Sequence, residues 1–143
     1  MPKKKSPVPT PEEFLADYPL ELVELAQCLR TIIRQTVPNV LERVYPGWRL
    51  IGYRVTVEKK DVYFGFIAPS HERLLLGFEW GILAHDPAGL LQGDGKQVRY
   101  VPVAGTENIR EPEFRALIVE AIRVAALPRD KKVDLLHERD LFR

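Results

Sequence analysis

Around Pro46-Gly47 the chain changes the period at which apolar residues recur, and that change restricts its fold more than any other feature. Upstream, Leu22, Leu25, Ala26, Leu29, Ile32 and Ile33 recur every three or four positions, which is the spacing of one helix face. Downstream, Ile51, Tyr53, Val55 and Val57 alternate with Trp48, Leu50, Arg54 and Thr56, so a strand buries one side and turns the other outward. Two further runs follow, with Val62, Phe64, Phe66 and Ala68 and then Leu74, Leu76, Phe78 and Trp80 as their apolar faces. After a glycine-bearing loop, residues 98–103 read as a fourth strand. The strands are joined by connections such as the charged 58–61, too short for a parallel crossover, so they pair antiparallel. A last clean stripe, Phe114, Leu117, Ile118, Ala121, Ile122 and Ala125, predicts a helix over 112–126, ended by Pro128. The expected class is a two-layer α+β domain. Its antiparallel sheet has four strands or more, with the N-terminal helices and a C-terminal helix packed on one face.

Punctuation sets the remaining boundaries. Thr10-Pro11-Glu12-Glu13 combines a capping hydroxyl, a proline at the first helical position and a glutamate three residues after the cap. It predicts a short helix over 11–17. Pro19 opens the next helix and Pro38 breaks it, with 39–45 read as one or two further helical turns before Pro46-Gly47. Residues 1–9 hold Lys3, Lys4 and Lys5 among Pro2, Pro7 and Pro9 and read as a flexible basic arm. A single domain then spans 10–128. Residues 129–143 form a C-terminal segment in which Val133, Leu136, Leu141 and Phe142 predict an outer helix docked on its own chain or on a partner.

The charge balance excludes several function classes. Twenty-one basic and 20 acidic residues leave +1 overall, and 6–128 carries 13 basic against 16 acidic groups, so no basic field draws in nucleic acid. No run approaches the ~20 uncharged apolar residues of a membrane span. One cysteine, Cys28, rules out an internal disulfide, and a reducing, cytoplasmic compartment is expected. Cys28 falls mid-helix, where a small buried or half-buried thiol is the usual outcome, and Ser6 and Ser70 sit in no nucleophile elbow. No catalytic residue is assigned.

Two places are candidates for binding. In the loop 85–97, Gly89, Gly93 and Gly95 allow backbone amides to converge on an anion, with Lys96 and Arg99 adding charge. The spacing fails the nucleotide P-loop, since Leu90 stands where its first glycine belongs and Gln97 where its Ser or Thr belongs. The other place is the sheet face turned away from the helices. It is expected to show Leu75, Gly77 and Glu79 beside Trp48, Leu50 and Arg54, Tyr63 and Ile67, and Arg99 with Val101. Such a mixture of large apolar groups and both charge signs meets something: a ligand, a second subunit or the chain's own tail. Trp48 and Trp80 beside Arg54 and Arg99 have the chemistry to stack a base, but the net negative domain and missing RNA-binding signature argue against nucleic acid. His71, His85 and His137, with Glu72, Glu79 and Asp86, have no metal-ligand spacing, and no metal is expected from them.

Several motifs in order carry a resemblance. Pro46-Gly47-Trp48-Arg49 before Gly52-Tyr53-Arg54, then Tyr63-Phe64 and Leu76-Gly77-Phe78, are followed by Asp86-Pro87-Ala88-Gly89-Leu90-Leu91 and Gly93-Asp94-Gly95-Lys96-Gln97-Val98-Arg99-Tyr100. Over roughly 12–126 the chain resembles the YdhG-like domain-of-unknown-function family, grouped in fold with frataxin-type iron chaperones. The resemblance implies an alternative in which iron binds carboxylates of the first helices, Glu12, Glu13 and Asp17, although a solvated acidic helix face explains the same residues. The leading expectation needs no cofactor. It is a non-enzymatic binding or accessory protein holding a small anionic ligand or a protein partner on the open sheet face. Trp48 and Tyr63 would supply apolar contact, Arg54 and Glu79 orientation, Lys96 and Arg99 charge, and Gly93 and Gly95 backbone room. A homodimer through that face is the third reading.

Overall fold

The computed structural model describes residues 8–70 and 72–141, so the arm with Lys3, Lys4 and Lys5, His71 and Phe142 lie outside the described residues. Helix α1, Pro11–Leu15, starts at the expected capping box: Glu13 N–H donates to Thr10 Oγ1 and Thr10 N–H to Glu13 Oε1, both at 3.1 Å. It ends two residues earlier than the spacing predicts, at the buried Leu15. Helix α2, Leu20–Thr36, follows Pro19 and buries the expected stripe.

Residues 39–45 are not helical turns. Leu41–Tyr45 is an edge strand, β1, paired with β2, Leu50–Val57. Its inward positions are Glu42 and Val44, so a carboxylate occupies a core-facing place and conceals the alternation. That carboxylate has a partner. Arg30 of α2, only 3 % exposed, donates to Glu42 through Nε at 2.9 Å and Nη2 at 2.7 Å. Its Nη1 reaches Glu12 and Gln27, each at 2.8 Å, and Tyr53 OH donates to Glu42 at 2.7 Å. Every charge in the cluster is paired, which is the condition for placing one inside a domain.

The sheet is a five-stranded antiparallel meander in the order β1-β2-β3-β4-β5, with β3 at Lys60–Pro69, β4 at Leu74–Phe78 and β5 at Arg99–Val103. Glu58 and Lys59, with φ of 49° and 68°, make the two-residue turn between β2 and β3 and bring Val57 opposite Lys60. Farther along, Tyr53 pairs with Gly65 but Arg54 with Tyr63, which leaves Phe64 as an extra residue in β3. This bulge reverses the alternation. Val62 and Phe64 point inward as expected, but beyond the bulge Ile67 is the buried residue, and Phe66 and Ala68 stand on the outer side.

Helix α3, Glu111–Ala125, buries Phe114, Leu117, Ile118 and Ala121 and packs on β3 and on α2, while α2 also covers β4. One sheet face is thus covered by helices, as the sequence predicts. The C-terminal helix α4, Arg129–Leu141, docks on a 3₁₀ turn at Gly81–Leu83, not across the open face. Arg139 Nη1 donates to Ile82 O at 3.3 Å, and Lys132 Nζ stands 4.6 Å from the centre of the Trp80 ring. Among the described residues no helix is long and apolar enough to cross a membrane.

Candidate functional site

The outer sheet face is built around glycines roofed by aromatic rings. A Cβ on Gly52 would collide with the rings of Tyr45 and Tyr63, and one on Gly77 with Phe66, so aromatic atoms cover the bare backbone at both places. The first pair nucleates a cluster. Trp48, 67 % exposed in the turn after β1, stacks on Tyr45 with ring centres 5.5 Å apart and planes at 23°. Tyr45 meets Tyr63 edge to face at 6.1 Å. The Arg54 guanidinium lies 5.1 Å from the Tyr63 ring centre, donates from Nε to Tyr45 OH at 2.9 Å, and from Nη1 to Asp61 at 3.1 Å. Arg43 approaches the Tyr45 ring to 5.9 Å. Offset stacks, edge contacts and a guanidinium over a ring are each favourable aromatic geometries, and together they fix Tyr45 as the platform on which Trp48 stacks.

Burial pushes the Tyr63 phenol above its ordinary value, helped by the negative charge of Glu79 and opposed by Arg54. Burial also raises the Glu79 carboxyl, whose Oε1 accepts from Gln97 Nε2 at 3.2 Å. Arg54, Tyr63 and Glu79 thus share one face, as the alternation predicts. Trp48 joins them from the turn before β2, which starts at Leu50 and not at 48, by its stack on Tyr45. Tyr45 was missed because its strand was read as helix. The signal available was an aromatic three residues before Trp48 across a Pro-Gly turn.

Arg99 and Val101 do not join them. Both lie on the helix side of β5, as does Ile67 on β3, while Tyr100 and Pro102 take the outer positions. Residues 99–103 alternate apolar groups in both phases, and the pairing of Leu76 with Val101 and Leu74 with Val103 sets the phase. Arg99 Nη1 donates to the carbonyls of Gly95 and Val98. The loop before β5 winds around the strand's edge, since Gln92 bridges to Tyr100 and Gly93, at φ 123°, sits beside both Tyr100 and Arg99. Near Gly89 the amides expected to cradle an anion are spent. Leu90 and Leu91 N–H donate to the two Asp86 carboxylate oxygens at 3.0 and 2.8 Å. Gly93, Gly95 and Lys96 are exposed at the rim.

Among the carboxylates that the iron alternative would use, Glu12 accepts from Arg30 and its carboxyl is held low chiefly by that hydrogen bond. Glu13 closes the capping box and Asp17 is exposed. Iron there would displace Arg30 and Thr10 from their partners. Among the described residues no three His, Cys, Asp or Glu side chains gather into a ligand set. Cys28 is exposed, not buried, beside an open groove of about 500 Å³ between α2 and residues 106–111. Trp80 is half-buried under Lys132.

No family model, no curated protein and no solved structure matches the chain.

Proposed function

We propose that this chain is a non-enzymatic binding or accessory protein whose open sheet face docks a protein surface or a planar anionic group. The observation that carries the reading is the exposed Trp48 ring, stacked on Tyr45, which Tyr63 and Arg54 hold in turn, on a face that the chain's own C-terminal helix does not cover. An exposed hydrophobe normally moves freely. One fixed by stacking has already lost its rotamer entropy, so little is left to lose on binding. Trp and Arg are also the side chains most often found at energetic centres of interfaces. Glu79 and Gln97 border the cluster with groups that orient a polar edge, and Lys96 adds charge at the rim.

Sedimentation velocity over a wide concentration range, with Trp fluorescence titrations using benzoate as a planar anionic probe, tests the reading. Self-association or benzoate binding is expected to weaken about tenfold or more in Trp48→Ala, the loss of a hot-spot residue. Thermal melting should be unchanged, because Trp48 is surface-exposed. A monomer at all concentrations that neither binds benzoate nor yields a partner dependent on Trp48 defeats it.

A further inference from the structure

Arg99 as a residue is 9 % exposed, and Nη1 is the one guanidinium nitrogen that hydrogen-bonds among the described residues, to Gly95 O at 2.5 Å and Val98 O at 2.8 Å. No buried side-chain nitrogen or oxygen among those residues lacks a partner, so its unbonded Nε and Nη2 reach the surface. None of the ion pairs among those residues includes Arg99. A guanidinium carries five donors and a permanent charge, so donors that no carbonyl or carboxylate of the chain takes up are available to an anion from solvent. Arg30, the more deeply buried of the two, is instead matched within the chain by two carboxylates.

Arg99 lines a cavity of about 160 Å³ between β5, the 3₁₀ turn and α4, together with Gly81, Ile82, Asp86, Leu91 and Arg139. The second guanidinium, Arg139, also lacks an ion-pair partner among the described residues and holds its place through the Ile82 carbonyl. Asp86 is the acid on this lining, and both of its oxygens already accept backbone amides. The space is below the roughly 300–1,000 Å³ of pockets that take drug-sized ligands. Two guanidiniums on the lining of one small polar cavity have the charge and the donors that an oxyanion takes. We propose that this cavity binds phosphate, as the free ion or as the end of a phosphomonoester, clamped between Arg99 and Arg139. The site lies on the helix side of the sheet and stands apart from the aromatic face. Since Arg139 belongs to α4, an otherwise sparsely held helix, phosphate would also tether that helix to the domain.

Melting of the full chain in inorganic phosphate, against sodium chloride of equal ionic strength, tests the proposal, with glycerol 3-phosphate as a second arm. Phosphate at a hundredfold excess over its Kd should raise the melting midpoint by roughly 5–10 °C. Amides of α4 should exchange more slowly in phosphate. Arg139→Gln changes an exposed residue, so it should fold as the parent does yet lose phosphate affinity tenfold or more and lose the α4 protection. Stronger binding of phosphate than of glycerol 3-phosphate marks the free ion as ligand, and the reverse marks a phosphomonoester; either supports the clamp. A midpoint shift no larger than that in chloride, or one undiminished in Arg139→Gln, overturns it.

Discussion

Replacing Arg30 by Met keeps an unbranched, largely apolar stem and removes all its donors. Glu42, 13 % exposed, would then keep only the Tyr53 hydroxyl of its three hydrogen bonds. Removing one partner of a buried ion pair costs about 3–5 kcal/mol. At roughly 2–4 °C per kcal/mol for a chain near this size, the melting midpoint should fall by about 6–20 °C. The acid limb supplies a sharper signature. In the parent, burial pushes the Glu42 carboxyl up, but hydrogen bonds from Arg30 and Tyr53 outweigh it and the net direction is down. A carboxyl lower in the folded than in the unfolded state contributes stability above its unfolded value and loses it as pH falls through the folded one. Without Arg30, burial dominates and the carboxyl rises. The contribution of Glu42 then holds below the unfolded value and is lost as pH rises through the folded one. Urea unfolding between pH 3 and 7 should therefore show stability rising with pH in the parent and a flattened or reversed trend in Arg30→Met. The triple variant Arg30→Met, Glu42→Leu, Tyr53→Phe removes the buried polar groups of the cluster, leaving Glu12 and Gln27, which reach water, and should recover most of the loss. A single variant costing less than about 1 kcal/mol, or a triple variant no better than the single, refutes the reasoning.

Lys59→Gly relieves a side chain held at φ 68° and should stabilise the domain by about 0.5–1 kcal/mol in urea unfolding, the strain removed less glycine's added backbone freedom. Burial raises the Glu79 carboxyl, so its contribution to stability is present below the unfolded value and lost as pH rises through the folded one. Glu79→Gln should accordingly raise the urea midpoint at pH 7 and leave it unchanged near pH 3. Gly77→Ala places a methyl group against the Phe66 ring and should cost about 1–3 kcal/mol, with most of it returned in a Phe66→Ala background.

The two core helices were legible because their inward stripes are apolar throughout, and β2 because its outward residues include Arg54 and Thr56. What escaped were inward polar residues and breaks in phase. Glu42 occupies a core position only because Arg30, 12 residues earlier, waits there, and nothing in a local window reports that pairing. In β3 the single extra residue at Phe64 exchanged the faces of Phe66 and Ile67, although Gly65 beside it is a residue that often marks a bulge. In β5, where Tyr100 and Pro102 are as apolar as Val101 and Val103, the phase depends on the neighbouring strand. Of the candidate site, Arg54 and Tyr63 follow from alternation within single strands, and Glu79 continues that of β4 by one residue. Trp48, read as the first residue of a strand, instead sits in the turn before β2 and reaches the face by stacking on Tyr45. The placement of Arg99 needed the register between two.

The meander also has an order in time. All five strands neighbour their sequence successors, with α2 encoded before them and α3 after. A polypeptide leaving the ribosome can therefore zip up its β-layer through short loops, quickly, while half of the lid is still unmade. Until residues 111–125 emerge, the side of β3 destined for α3 has only water beside it. A message truncated just upstream would yield a sheet with a bare, oily flank, the kind of surface that chaperones engage and aggregates grow from.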